Sequence, residues 1–124
     1  MEQWTQAELE AIAKDPDLYL SIPNLNGMIH ESLWIWIVQA GNELYARGYS
    51  GTKARWYQAA KREGRGHITV GGVEKDVRFE FPDDPETIDL VDEGYRKKYA
   101  DSPRLEPVIR SQAREATVRL VPVG

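Results

Sequence analysis

Apolar and polar positions alternate with two different periods along this chain, and the changes of period mark its elements. Thr5-Gln6-Ala7-Glu8 has the form of a capping box, in which the Thr5 hydroxyl accepts from the third amide and Glu8 reaches back. Leu9, Ile12 and Ala13 follow at helical spacing, and Asp15-Pro16 stops the helix. Leu18 to Ile22 reads as a short strand. Leu33 to Ala40 is a longer one, Gly41-Asn42 is a tight hairpin turn, and Glu43 to Tyr49 is the returning strand. Ala54 to Lys61 predicts a short helix. His67 to Val70 and Val73 to Phe81 predict a second hairpin around Gly71-Gly72. Glu86 to Tyr99 is a helix with Ile88, Val91, Tyr95 and Tyr99 on one stripe. Asp92 with Arg96, and Glu93 with Lys97, stand at the i,i+4 spacing that supports it. A short turn or helix through Pro107 to Ala113 leads to a last strand, Ala116 to Val121.

The turns set the registers. With Ala40 opposite Glu43, Val38 faces Tyr45, Trp36 faces Arg47 and Trp34 faces Tyr49, all on one side of the hairpin. The other side carries Ile35, Ile37, Ala46 and Gly48. In the second hairpin, Val70 opposite Val73 places Thr69 against Glu74 and His67 against Asp76. Six strands and three helices, with two tight hairpins, predict an α+β fold: a small antiparallel six-stranded split β-barrel with about three flanking helices.

Composition fits one soluble domain. The chain has 124 residues, 41 % hydrophobic and 29 % charged, and is read as a single unit over 1–124. The absence of cysteine excludes disulfides, thiolate catalysis and cysteine-held metals, and accords with the cytoplasm. No apolar run is long enough to span a bilayer, and the N-terminus lacks the form of a signal peptide. A net charge of −4 argues against nucleic acid or anionic membrane as a partner. The charge is also unevenly spread: acids run from Glu80 to Glu93 without an intervening base, whereas Arg47 to Arg65 holds six bases and one acid.

Three groups carry candidate chemistry. Trp34, Trp36, Tyr45 and Tyr49 around Arg47 can wall a pocket for a planar or anionic molecule, with Arg47 meeting the anionic group. The competing reading packs this face under a helix or a second subunit, with Arg47 stacked on Trp36. Ser50, Thr52, Lys53 and Arg55, around Gly51, supply hydroxyls and cations ahead of a helix start and suit a phosphate, or else form a solvated basic turn. His30 and Glu31 precede the tryptophan strand. With Tyr49 they are candidate catalytic residues, against the alternative of a solvated loop. His67 beside Asp76 reads as a surface pair. The two separated histidines give no metal-site pattern. Tyr95, Lys98, Tyr99 and Arg114 can close one side of the pocket, although Tyr95 and Tyr99 also fit a core stripe.

Leu33-Trp34-Ile35-Trp36, Leu44 to Gly51, Arg55 to Ala60, Ile88-Asp89, Tyr95 to Tyr99, Ser102-Pro103 and Ala113 to Leu120 together resemble the bacterial family known only as domain of unknown function 2255. The likeness spans nearly the whole chain. It departs at Asn24, where arginine is usual, at Leu33 and Ile37 beside the tryptophans, and at Arg104 in place of an aromatic residue. If Asn24 and Arg104 line the site, ligand choice differs from that of the family. Gly51 to Glu80 also resembles the split β-barrels that bind flavin mononucleotide (FMN) or deazaflavin. That resemblance implies a homodimer with its ligand at the subunit interface, and makes Trp56-Tyr57 the anchor of a helix on the barrel. The residues favour a binder of a small planar or anionic ligand that needs no cofactor, either a binding module or an enzyme using its own acids and bases. The bulk of Trp34 and Trp36 competes with a flavin ring for space. A flavin- or deazaflavin-dependent oxidoreductase is the alternative, with FMN or deazaflavin held by Ser50, Thr52, Lys53 and Arg55. A pure interaction domain would need a large exposed apolar patch.

Overall fold

The computed structural model describes residues 4–14, 18–21, 33–47, 51, 55–70, 72–100, 109 and 111–123, and at residues 13, 18, 33–35, 55, 111 and 112 the backbone only. Among them are strands β1 (Leu18–Ser21), β2 (Leu33–Ile35), β3 (Ile37–Ala40), β4 (Glu43–Arg47), β5 (Arg65–Val70), β6 (Val73–Glu80) and β7 (Thr117–Pro122). The helices are α1 (Gln6–Ala13), α2 (Arg55–Glu63), α3 (Pro85–Lys98) and the short α4 (Ser111–Arg114).

The strands form one antiparallel sheet in the order β2-β1-β5-β6-β7-β4-β3. The single strand expected over Leu33 to Ala40 is interrupted at Trp36. Its first half, β2, pairs with β1, and its second half, β3, pairs with β4. The two ends of the sheet are therefore consecutive in the chain, and with β2 and β3 counted as one interrupted strand the sheet curls into the expected six-stranded antiparallel split barrel. Both hairpin registers agree with the sequence reading: Val38 lies opposite Tyr45 and Ala40 opposite Glu43, while His67 lies opposite Asp76 and Val70 opposite Val73. Gly41 turns the first hairpin with φ +64°, a conformation that glycine adopts without steric cost.

Alternation then sorts the side chains. Leu20, Ile37, Leu44, Ile68, Val77 and Leu120 point inward and are fully or almost fully buried. Leu9 and Ile12 of α1, and Trp56, Tyr57 and Ala60 of α2, join them in one cluster, so the interior is occupied by side chains. Burying each large apolar side chain contributes roughly 1.5–3 kcal/mol. Trp4 belongs to this cluster and donates its indole N–H to the Leu120 carbonyl at 3.0 Å. The capping box holds α1: Thr5 Oγ1 accepts from the Glu8 amide at 3.1 Å, and Glu8 accepts from the Thr5 amide at 2.9 Å. Glu8 also meets Lys75 of β6 at 3.0 Å, tying α1 to the sheet. Helix α2 runs to Glu63, two residues beyond expectation, and ends at Gly64, whose φ of +74° fits a helix stop.

Helix α3 takes the outside of β3 and β4. Its Val91 and Tyr95, with Tyr99 at its C-terminal cap, pack on Val38 and Tyr45. Asp84 caps it by accepting from the Thr87 amide at 3.0 Å, Pro85 follows, and Arg96, Lys97 and Lys98 occupy the last turn. The helix backbone lies close to the sheet at Gly94, where an added Cβ would stand 2.9 Å from the Gln39 carbonyl oxygen.

His67 and its two acids form an exposed group on the outer face. Its Nδ1 lies 2.9 Å from Asp76 Oδ1 and its Nε2 lies 3.3 Å from Glu74 Oε1. The hydrogen bond to Asp76, helped by Glu74, raises the imidazole above its ordinary value of 6.5. The folded state thus binds this proton better than the unfolded chain. The contribution to stability is complete below the ordinary value and is lost as pH rises through the folded one. Urea unfolding at about pH 6 and about pH 8.5 should show a stability difference of at most ~1 kcal/mol from this group, which His67→Gln removes.

Candidate functional site

The outer face of β3 and β4 holds Arg47, the residue on which the sequence reading centred. Arg47 closes β4, and its side chain has no exposed surface. Its Nε donates to Thr117 Oγ1 at 3.0 Å, one terminal nitrogen donates to Asp92, and the other donates to the Ile88 carbonyl at 2.9 Å. The guanidinium also stands 5.5 Å from the centre of the Tyr95 ring. Asp92 and Ile88 belong to α3, and Thr117 opens β7. One side chain thus links the helix to two neighbouring strands.

Asp92 is itself doubly held. Its second oxygen lies 3.1 Å from Arg114 Nε, and Arg114 reaches Asp89 at 2.5 Å through a terminal nitrogen. The local pairing of Asp92 with Arg96 expected from spacing does not occur; Arg96 meets Glu93 at 2.7 Å. The reason is position on the helix: Asp92 lies on the buried side of α3 with Ile88, Val91 and Tyr95. A charge there needs a buried partner, and Arg47 supplies one. Burial also pushes the Tyr95 phenol well above its usual range, opposed in part by the Arg47 charge. The phenol therefore stays protonated across the physiological range.

Trp36 sits at the interruption between β2 and β3, half-buried. Its ring stacks on Tyr99 at 3.9 Å with the planes 5° apart. Tyr99 donates to the Ile37 carbonyl at 3.1 Å, and Lys98 donates to the same oxygen at 2.8 Å and to the Ile12 carbonyl at 3.3 Å. Arg114, Lys98, Tyr95 and Tyr99, expected to close one side of a pocket, are thus engaged with the barrel or with α3. A ligand could touch Arg47 only if α3 or Asp92 moved.

The other candidates are distributed as follows. Trp34 is at the β2 position paired with Tyr19 of β1. Its expected partner Tyr49, with His30, Glu31, Ser50, Thr52 and Lys53, lies outside the described residues, as do Asn24 and Arg104. Gly51 is buried with φ +69°, and Arg55 opens α2. Arg47 at the end of β4 and Arg55 at the start of α2 therefore bracket the segment 48–54. Among the described residues, no cluster of histidine and carboxylate groups could hold a metal ion. None of the described helices is long and apolar enough to cross a membrane.

Residues 8–120 match a family described as an uncharacterized protein conserved in bacteria, domain of unknown function 2255. The chain belongs to this family. Its members' description carries no activity. A comparison with curated proteins gives no significant match. Solved structures share the fold. A heme storage protein from Vibrio cholerae, HutZ, has a TM-score of 0.71 at 13 % identity, covering 100 % of this chain and 92 % of its own. A conserved hypothetical protein from Mycobacterium tuberculosis has a TM-score of 0.66 at 14 % identity, covering 99 % and 82 %. An F420-H2 dependent reductase has a TM-score of 0.63 at 14 % identity, covering 86 % and 93 %. At these identities the similarity establishes a common split barrel.

Sequence reasoning missed two members of the buried group. The i,i+4 spacing of Asp92 to Arg96 points to a local surface pair, and nothing in the sequence pattern singles out Thr117. The available signal was the helical stripe itself, because Asp92 follows Val91 and stands four residues from Ile88.

Proposed function

We propose that this protein binds a small, flat, anionic ligand on the outside of its barrel, next to the segment 48–55. The observation that carries the reading is one barrel shared, over 86 % to 100 % of this chain, with proteins named for heme storage and for F420-H2 dependent reduction. Both named molecules join a flat conjugated ring to anionic groups. The donor chemistry of the segment agrees: Ser50 and Thr52 offer hydroxyls, and Lys53 and Arg55 offer cations. Gly51, with its positive φ, lets the backbone turn among them. In this reading Trp34, Tyr49 and the part of half-buried Trp36 that Tyr99 leaves uncovered supply the aromatic wall, and Arg47 supports it by fixing α3 beside it. The described interior is occupied by side chains, which supports a site on the outer surface; a homodimer, as the split-barrel resemblance implies, would add its subunit interface.

Two chemistries fit this site. With FMN or deazaflavin bound, Ser50, Thr52, Lys53 and Arg55 would hold its phosphate, and the group would supply hydride transfer. Without a cofactor, His30 and Glu31 act on the ligand as an acid–base pair, with Tyr49 as a further proton donor. The same reading places the protein in the cytoplasm, with neither nucleic acid nor membrane as partner.

The test is calorimetric titration with FMN, the deazaflavin F420, hemin and a panel of aromatic carboxylates. At least one of these should bind with micromolar affinity, and Lys53→Ala should weaken it about tenfold, equivalent to ~1.4 kcal/mol. Absence of binding throughout the panel at about 1 mM, some 4 kcal/mol of affinity, would refute the reading.

A further inference from the structure

Helix α3 covers the outer side of β3 and β4, but the outer side of β1, β5 and β6 lies open. Register and alternation arrange its side chains in rows across the strands. Glu74 shares one row with Tyr19, His67 and Asp76 form the next, and Arg65 with Arg78 the third. Tyr19, Arg65, Glu74, Asp76 and Arg78 are all exposed. Val123, whose amide donates to the Asp76 carbonyl at 3.0 Å, stands beside the middle row. Among the described residues three large apolar side chains are exposed, and two of them, Tyr19 at 47 % and Val123 at 44 %, flank this face.

Charge on this face is divided along the strands. Arg65 and Arg78 stand directly opposite each other at one end, an arrangement of like charges that a sheet disfavours. Glu80 meets Arg78 at 2.5 Å, whereas Arg65 has no acidic partner among the described residues. That end therefore keeps an excess positive charge. Toward the other end, Glu74 and Asp76 have side chains 71 % and 77 % exposed and share one imidazole, that of His67. Even with His67 protonated, an excess negative charge remains there. Four residues, roughly 14 Å at the usual rise, separate the arginine row from the row of Glu74.

We propose that this face joins two copies of the chain, packed face to face about a two-fold axis that crosses β5 and β6 at the row of His67 and Asp76. Such an axis reverses the strand direction, so the Arg65–Arg78 end of each copy lies over the Glu74 end of the other. The same contact withdraws Tyr19 and Val123 from water. The occupant is a second copy because the charge pattern complements its own reverse. A uniformly acidic partner would meet Glu74 and Asp76 with the wrong sign, and a uniformly basic one would meet Arg65 and Arg78. The proposal rests on the homodimer of the proposed function and adds the face that forms it.

Sedimentation velocity of the whole protein at about 1–100 μM tests it, and the wild type should dimerise within that range. Arg65→Glu and Glu74→Arg each set like charges against each other twice in the dimer, and each should weaken it about tenfold or more. Carrying both changes exchanges the two ends and should restore the dimer to within about threefold of the wild type. Glu10→Arg, an exposed site on α1, alters net charge as much as Glu74→Arg and should leave the dimer unchanged. Circular dichroism checks that each variant remains folded. A wild type that stays monomeric at about 100 μM would overturn the homodimer together with this face. A dimer that neither single change weakens, that the double change fails to restore, or that Glu10→Arg weakens equally would overturn the face alone. The ligand titrations stand apart from all of these outcomes.

Discussion

Arg47→Ala should destabilise the protein by about 3–5 kcal/mol, because it breaks a buried pair and leaves one Asp92 oxygen unpaired under α3, with Arg114 alone to hold the carboxylate. A domain of this kind is stable by only about 5–15 kcal/mol in total, so the loss would be severe. The expectation rests on geometry: the Arg47 side chain is fully enclosed, and its contacts reach α3 through Asp92 and Ile88 and β7 through Thr117. Removing both charges at once is a different matter. Arg47→Met with Asp92→Leu replaces a buried pair by apolar groups of similar volume, and such exchanges are often neutral. Urea denaturation of the two single variants and the double variant therefore yields a large coupling energy, with the double variant more stable than either single one. Additive losses, or a mild Arg47→Ala, would show that the pair does not hold the helix.

Gly94→Ala should also destabilise, by about 1–2 kcal/mol, and Gly94→Leu by more. Two effects oppose each other here. On an exposed helix, alanine in place of glycine gains up to ~1 kcal/mol of helix propensity. At Gly94 the new Cβ would stand 2.9 Å from the Gln39 carbonyl oxygen and 3.4 Å from Val38 Cβ. The first neighbour is backbone and cannot rotate away, so α3 must lift from β3 and loosen its packing on Val38 and Tyr45. The steric term wins. A stabilised Gly94→Ala in thermal unfolding would mean that the helix rides higher than described.

The two hairpins were legible in the sequence because a tight turn fixes register and alternation then assigns every side chain. Val38 opposite Tyr45 and His67 opposite Asp76 follow directly from Gly41-Asn42 and Gly71-Gly72. The stripe Ile88, Val91, Tyr95 and Tyr99 was legible for the same reason at helical period. The interruption at Trp36 was not. It arises where the strand leaves β1 and joins β4, a constraint of barrel closure that no local pattern records. Asp92 was misassigned because i,i+4 spacing pointed to Arg96, whereas its partner Arg47 is 45 residues away in the chain. Two observations made from sequence nevertheless belonged together: an outward aromatic face on β3–β4, and a helix with an apolar stripe. Each needed a cover, and each is the other's. The candidate ligand site was less legible, since its hydroxyls and cations sit in the segment 48–55, where residue type suggests a phosphate but no period fixes geometry.

In the proposed function a flat anionic ligand binds outside the barrel beside that segment. Proton–nitrogen NMR of the whole protein, recorded during titration with whichever panel member binds, tests it most directly. The account predicts shifts concentrated in residues 48–55 and at the indole N–H groups of Trp34 and Trp36, with the amides of Ile68 and Val77 in the barrel interior unmoved. Shifts centred on Glu43 and Arg119 instead, or spread through the interior strands, would contradict it.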